Sequence, residues 1–209
     1  REDGATLHLI QQLEASTGVQ KELLITLDKE KDQTKLVHIL TNRGAWEIEI
    51  APWAVTVMAA GGRAIFPQED FIPHDEYLLP ARSVVLWHYT NMSDPRFTWG
   101  EKFIQLRQKN GASKQKIGMR NSKEWMAYAL KGDLFIKRAP FDPKATYPDF
   151  GCNTESFTDN TMLELETLGP LTKLAPGESV EHVETCALHK LEVGEEEKEI
   201  EEKVVAKVP

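Results

Sequence analysis

The chain has 209 residues, 41% hydrophobic and 28% charged, with 25 Lys and Arg against 33 Asp and Glu for a formal net charge of −8. This is an ordinary globular composition, and the acid excess argues against nucleic acid as a partner, because phosphate binding draws on clustered Lys and Arg. No apolar run approaches the roughly 20 residues that a membrane span needs, so no membrane partner is expected.

Strand signals dominate from the N-terminus onward. Short runs rich in Leu, Val, Ile and Thr with period-two alternation predict strands over 7–13, 23–27 and 35–41, with Gly18, the charged 28–32 stretch and Asn42-Arg43-Gly44 as turns. The pattern continues over 47–50, 54–59, 83–88, 103–107, 125–130 and 134–137, and closes with 151–157, 162–168 and 180–188. Many short strands broken by turn residues predict an all-β sandwich or barrel of mostly antiparallel sheet, a single domain over 1–193. Two stretches interrupt the rhythm. Residues 67–82 carry Pro67, Pro73 and Pro80, and 91–100 is similarly irregular; loops of this length in a compact domain often line a site. Residues 194–209 form a charged C-terminal helix or tail, in which Ile200, Val204 and Val208 make one narrow apolar stripe. A solvated state is expected for it, with docking onto a partner as the alternative.

Cys152 and Cys186 are too few for a disulfide framework and lack zinc-ligand spacing, so two buried thiols are expected, a single inter-strand bridge being the alternative. The six histidines show no tight ligand spacing, and no glycine-rich phosphate loop or nucleophile elbow is present. No metal and no cofactor is expected. No signal-peptide pattern is visible, which predicts a cytoplasmic location.

The segment richest in chemistry runs from 147 to 184. Alternation puts Asn153 and Glu155 on one strand face, Glu164 and Glu166 on one face of the next, and His182 and Glu184 on one face of the last. Were these strands neighbours, one face would gather all six, and crowded carboxylates raise one another's pKa toward the range of a general acid or base. The plainer alternative is the wet face of an antiparallel sheet. Aromatic residues, among them Trp53, Trp87, Trp99, Tyr89 and Tyr147, fall near His88, Arg96 and Lys137, and flat rings beside carboxylates suit the apolar face and hydroxyl rim of a sugar.

Three stretches carry a family resemblance: Tyr147-Pro-Asp-Phe-Gly-Cys-Asn-Thr-Glu-Ser-Phe-Thr, then Leu163-Glu-Leu-Glu-Thr-Leu-Gly-Pro, then Leu174-Ala-Pro-Gly-Glu-Ser-Val-Glu-His-Val-Glu. With Leu40-Thr-Asn-Arg-Gly-Ala-Trp and Ala51-Pro-Trp-Ala-Val-Thr-Val-Met upstream, the chain resembles an uncharacterised bacterial family of the galactose-mutarotase-like group from about Thr17 to His189. The resemblance implies an antiparallel supersandwich with a sugar-sized site on the concave sheet, and an N-terminally shortened chain. It places Glu155 where aldose epimerases keep their glutamate base. Where they keep a histidine acid, this chain reads Ala51-Pro52-Trp53.

The expected function is therefore a carbohydrate-binding or carbohydrate-active protein, epimerase-like if catalytic. A glycoside hydrolase using two of Glu155, Glu164 and Glu166, and a non-catalytic glycan-binding or structural module, are the alternatives. Catalysis is assigned to Glu155, Glu164 and Glu166. Sugar contact is assigned to Trp53, His88, Arg96, Trp99, Lys137, Tyr147, Asn153 and His182. The partner is a small sugar or glycan, with a homo-oligomer possible because a shortened sandwich exposes sheet edges.

Overall fold

A computed structural model describes residues 6–28 and 30–208. The strands are β1 Thr6–Ile10, β2 Val19–Asp28, β3 Gln33–Asn42, β4 Ile48–Ile50, β5 Trp53–Met58, β6 Arg63–Pro67, β7 Val84–Leu86, β8 Phe97–Trp99, β9 Phe103–Arg107, β10 Gln115–Met119, β11 Trp125–Leu130, β12 Asp133–Arg138, β13 Thr154–Thr158, β14 Leu163–Leu168, β15 Thr172–Leu174 and β16 Ser179–Lys190. They build a nine-stranded sheet, order β1-β2-β3-β16-β12-β11-β6-β9-β8, and a five-stranded sheet, order β5-β14-β13-β10-β7, with a small β15-β4 pair between elements. Each strand pairing is antiparallel, in agreement with the sandwich predicted from alternation.

The sheets stack on an apolar core in which Ala64, Phe66, Leu106 and Tyr128 of the larger sheet meet Ile117, Met119, Leu163 and Leu165 of the smaller. The opposite face of the larger sheet is apolar as well. Ile65, Phe103, Trp125, Leu134 and Ile136 lie there, and the C-terminal helix Glu197–Lys203 covers them with Ile200 and Val204, both fully buried. The stripe read from the tail thus docks on the chain's own sheet, in place of the solvated state expected. Burying an apolar row on a sheet that would otherwise be wet supplies the drive. The Glu197 carboxylate fastens the helix, accepting from the backbone N–H of Lys102 and Phe103 at 2.8 Å each.

Four strands escaped the sequence pattern: β6, β8, β10 and β15. In β6 every residue from Arg63 to Pro67 is buried, so no polar alternation marks it. In β10 the run Gln-Lys-Ile-Gly-Met reads as polar, although all five residues are buried. The irregular stretch 91–100 contains β8, whereas of the expected loop 67–82 only Pro67 falls in a strand, the end of β6.

Nine strands against five leave the layers unequal. Lys137 on β12 lies under β5 and β14, so β1, β2 and β3 extend past the edge strand β5, and Leu7, Leu9 and Leu27 stay exposed. No described helix is long and apolar enough to cross a membrane.

Candidate functional site

The outer face of the five-stranded sheet carries the site. Antiparallel register sets Val55, Glu166, Glu155, Gly118 and Val85 side by side in one row, and Val57, Glu164, Phe157 and Lys116 in the next. Directly opposed residues share a face, so the three glutamates and Lys116 converge. The Lys116 ammonium donates to Glu155 Oε2 at 2.8 Å and to Glu166 Oε2 at 2.9 Å. Trp53 Nε1–H donates to the same Glu166 oxygen at 2.7 Å. The ammonium also sits over two rings, 4.7 Å from the Trp87 centroid and 5.2 Å from that of Trp53. Glu155 and Glu166 are 1% and 0% exposed.

One cation between two buried carboxylates leaves a net negative charge in a poorly solvated place. Burial pushes the Glu155 carboxyl up to about 7, Glu166 and Asp149 adding to the rise and Lys116 opposing it. Glu164, half-buried, is also raised by burial and by Glu166. For Lys116 burial works against the charge, but hydrogen bonds to Glu155 and Glu166 win and its pKa goes up. Tyr89 is raised by burial, with Glu155, Glu164 and Glu166 contributing, which puts its hydroxyl in the same field.

The approach to the site is shaped by the turn Pro148–Gly151. Asp149 and Phe150 hold φ of 48° and 60°, followed by Gly151 at 96°. Left-handed backbone at two residues that are not glycine costs on the order of 1–3 kcal/mol each and tends to persist at working sites. The turn brings Asp149 to Glu155 and leaves the Phe150 ring 93% exposed. A cleft of about 270 Å³ runs between Val85, Leu86, Trp87, His88, Asp149 and Phe150. Gly118 is required here: a Cβ would meet Cys152 Sγ at 2.6 Å and the Trp87 ring at 3.1 Å. Burial drives the Cys152 thiol up to about 12 and the Cys186 thiol up to about 11, and both are free.

Of the residues expected from sequence, Glu155, Glu164, Glu166 and Trp53 meet on this face, and His88 lines the cleft. The others lie elsewhere. His182 and Glu184 do not share the sheet of Glu155: they sit on β16 in the larger sheet, facing the interior. There Lys137, fully buried, donates to Glu184 at 2.6 Å, to Thr56 Oγ1 at 2.9 Å and to the carbonyls of Ala54 and Leu165. Thr167 bonds both Glu184 and His182, and His38 bonds Glu184 at 3.0 Å. This network spans the gap between the sheets: Lys137 is an interior group, while His182, itself buried, lines a separate cleft of about 480 Å³ with His38, Pro52 and Trp53. Asn153 is buried and clamps Asn121, accepting from its N–H and donating to its carbonyl. Tyr147 is buried, stacks on Phe141 and accepts from the Asp142 N–H. Arg96 is buried on Asp94 and the Ser113 carbonyl, and Trp99 stacks on Phe97 at the far edge of the larger sheet. Arg96, Asn153 and Tyr147 are engaged inside the fold, and Trp99, 40% exposed, lies on the other sheet from Glu155.

Sequence reading missed Lys116, Asp149 and Phe150. A lysine two residues before a glycine, in a segment with Ile117 and Met119 on the opposite face, was the available signal for Lys116. Nothing local marks Asp149 or Phe150. Among the described residues no three His, Cys, Asp or Glu side chains form a metal-ligating group.

No family model and no curated protein sequence matches the chain. Solved structures do. A candidate aldose 1-epimerase from Escherichia coli K12 superposes with a TM-score of 0.60 at 12% identity, covering 91% of this chain and 67% of its own. A galactose mutarotase-like protein from Lactobacillus casei gives 0.57 at 11% identity, covering 90% and 71%. An α-galactosidase from Geobacillus stearothermophilus gives 0.50 at 12% identity, over 90% of this chain but only 24% of that one. At such identities the likeness speaks to architecture, and the chain has the galactose mutarotase-like sandwich fold.

Proposed function

We propose that the outer face of the five-stranded sheet binds a sugar and that Glu155 acts there as a general base. The observation that carries this reading is a carboxyl only 1% exposed and bonded to Lys116, whose ammonium lies over Trp53 and Trp87; its burial pushes the pKa up to about 7. A base is most useful when its pKa lies near the working pH. Exposed aromatic faces at Trp53, Tyr89 and Phe150 suit the apolar side of a pyranose ring. In an epimerase-like reaction Glu155 takes the proton of the anomeric hydroxyl and the bond between the anomeric carbon and ring oxygen breaks. The ring oxygen takes a proton, and the open aldehyde turns and recloses. His88, in the cleft, and Lys116 are the available donors.

The solved neighbours that include galactosidases lend a second reading, glycoside hydrolysis. Glu155 and Glu166 each hold one oxygen within 2.9 Å of the same ammonium, which keeps those two oxygens nearer than the roughly 6.5–9.5 Å of an inverting pair. Hydrolysis by this pair would proceed with retention.

Calorimetry with a panel of mono- and disaccharides, on the native protein and on Glu155→Gln, tests the first reading. Polarimetry on freshly dissolved anomers follows turnover. Binding in both proteins with turnover lowered at least about 100-fold in the variant supports a base. Optical rotation that relaxes equally fast with either protein removes the catalytic role, and absence of heat with every sugar removes the sugar site.

A further inference from the structure

The charge on this face narrows the ligand, provided the sugar reading holds. Asp149 lines the cleft and adjoins Glu155, which shares the open face with Glu164 and Glu166, and among the described residues the cation in contact with this group is Lys116. Lys116 is already committed to two carboxylates and two rings. A second, separate observation concerns hydrogen bonding. Glu166 Oε1 and Glu155 Oε1 are buried and accept no hydrogen bond from the protein, though their residues are 0% and 1% exposed. Buried carboxylate oxygens left without donors are costly, and such orphans in a native site are commonly satisfied by a bound group. The face is therefore short of one positive charge and several N–H donors.

We infer that the sugar taken here carries a free amine, a hexosamine-type cation rather than a sugar phosphate or a uronic acid. An ammonium supplies three donors and one positive charge in a compact group. Asp149 is the exposed carboxylate on the cleft wall, and it adjoins Glu155, so an amine entering past Phe150 meets Asp149. A phosphate or carboxylate on the ligand would face three or four like charges with one shared cation to offset them. Charge repulsion in a partly desolvated cleft is strong enough to decide between sugars of equal shape.

Calorimetry on the intact chain at pH 6.5 with glucosamine, N-acetylglucosamine, glucose, glucose 6-phosphate and glucuronate, repeated with galactosamine and galactose, is the test. The free amino sugar of at least one series should bind about tenfold or more tightly than its neutral parent. Acetylation, which removes the charge, should abolish that gain. Added salt should shrink it, and the two anionic sugars should bind most weakly. In Asp149→Asn the ratio of amino to neutral sugar should fall several-fold. Neutral sugars binding as tightly as the amino sugars would overturn the amine inference while leaving the sugar site standing. An anionic sugar binding best would overturn it as well. No binding by any sugar would remove the sugar reading and this inference with it.

Discussion

At Glu155 the structure holds a carboxyl where its charge is unwelcome, and the consequence for stability has a definite sign. Its pKa is 4.5 ordinarily and about 7 in the fold, so the folded chain binds the extra proton between those values. Stability is greatest below about pH 4.5 on this account and falls as pH rises to about 7. Glu155→Gln should remove that slope and leave the protein more stable than the native form at pH 8, as read from urea midpoints at pH 5 and pH 8. Equal midpoint shifts in the two proteins would mean that Glu155 titrates normally. Period-two alternation made Glu155, Glu164 and Glu166 legible in the sequence as one face. Lys116 was not legible, because its partners come from strands 39 and 50 residues further along the chain.

At the scale of elements, the C-terminal helix shows how little a local pattern says about its target. Ile200 and Val204 at four-residue spacing announce one apolar stripe, but only the pairing of β6, β9, β11 and β12 creates the apolar patch that receives it. Ile200→Ala should cost about 2–5 kcal/mol by the usual penalty for an emptied core site, measured by chemical denaturation. A cost near zero would mean the helix is not seated on the sheet in solution. The missed strands β6 and β10 follow the same logic. Buried on both faces, they carry no polar alternation, so the signal that revealed the half-wet strands was absent from them.

For the whole molecule, the tie between the two sheets is electrostatic as well as apolar. Burial alone would raise Glu184, but His38, Lys137 and Thr167 outweigh it and bring the carboxyl down to about 2. Burial brings His182 down to about 4, with His38 and Lys137 adding to the fall and Glu184 opposing it. Both depressed values work in one direction. As pH falls from about 6.5 toward 4 the unfolded chain gains a proton at His182 that the fold refuses, and from about 4.5 toward 2 another at Glu184. Acid unfolding should therefore steepen below pH 4.5. In Glu155→Gln the loss should begin nearer pH 6.5, because the opposing slope of Glu155 is gone. Lys137→Met leaves Glu184 buried without its cation and should cost about 3–5 kcal/mol near neutral pH, with much of the loss recovered when Glu184→Gln is added. A double variant no more stable than Lys137→Met alone would show that the pair is not coupled.

The sequence by itself determined the alternating strands, the turns between them, the apolar stripe of the tail and the glutamates that share a face. These are local properties, fixed by the two-residue and four-residue periods of the backbone. Tertiary structure decided which face each strand meets. It set His182, Glu184 and Lys137 against the inner side of the five-stranded sheet and Glu155 on its outer side, and it brought Lys116, Trp53, Trp87 and Asp149 to that carboxyl. Strand order and register are set by burial across the whole chain, and no single segment contains that information.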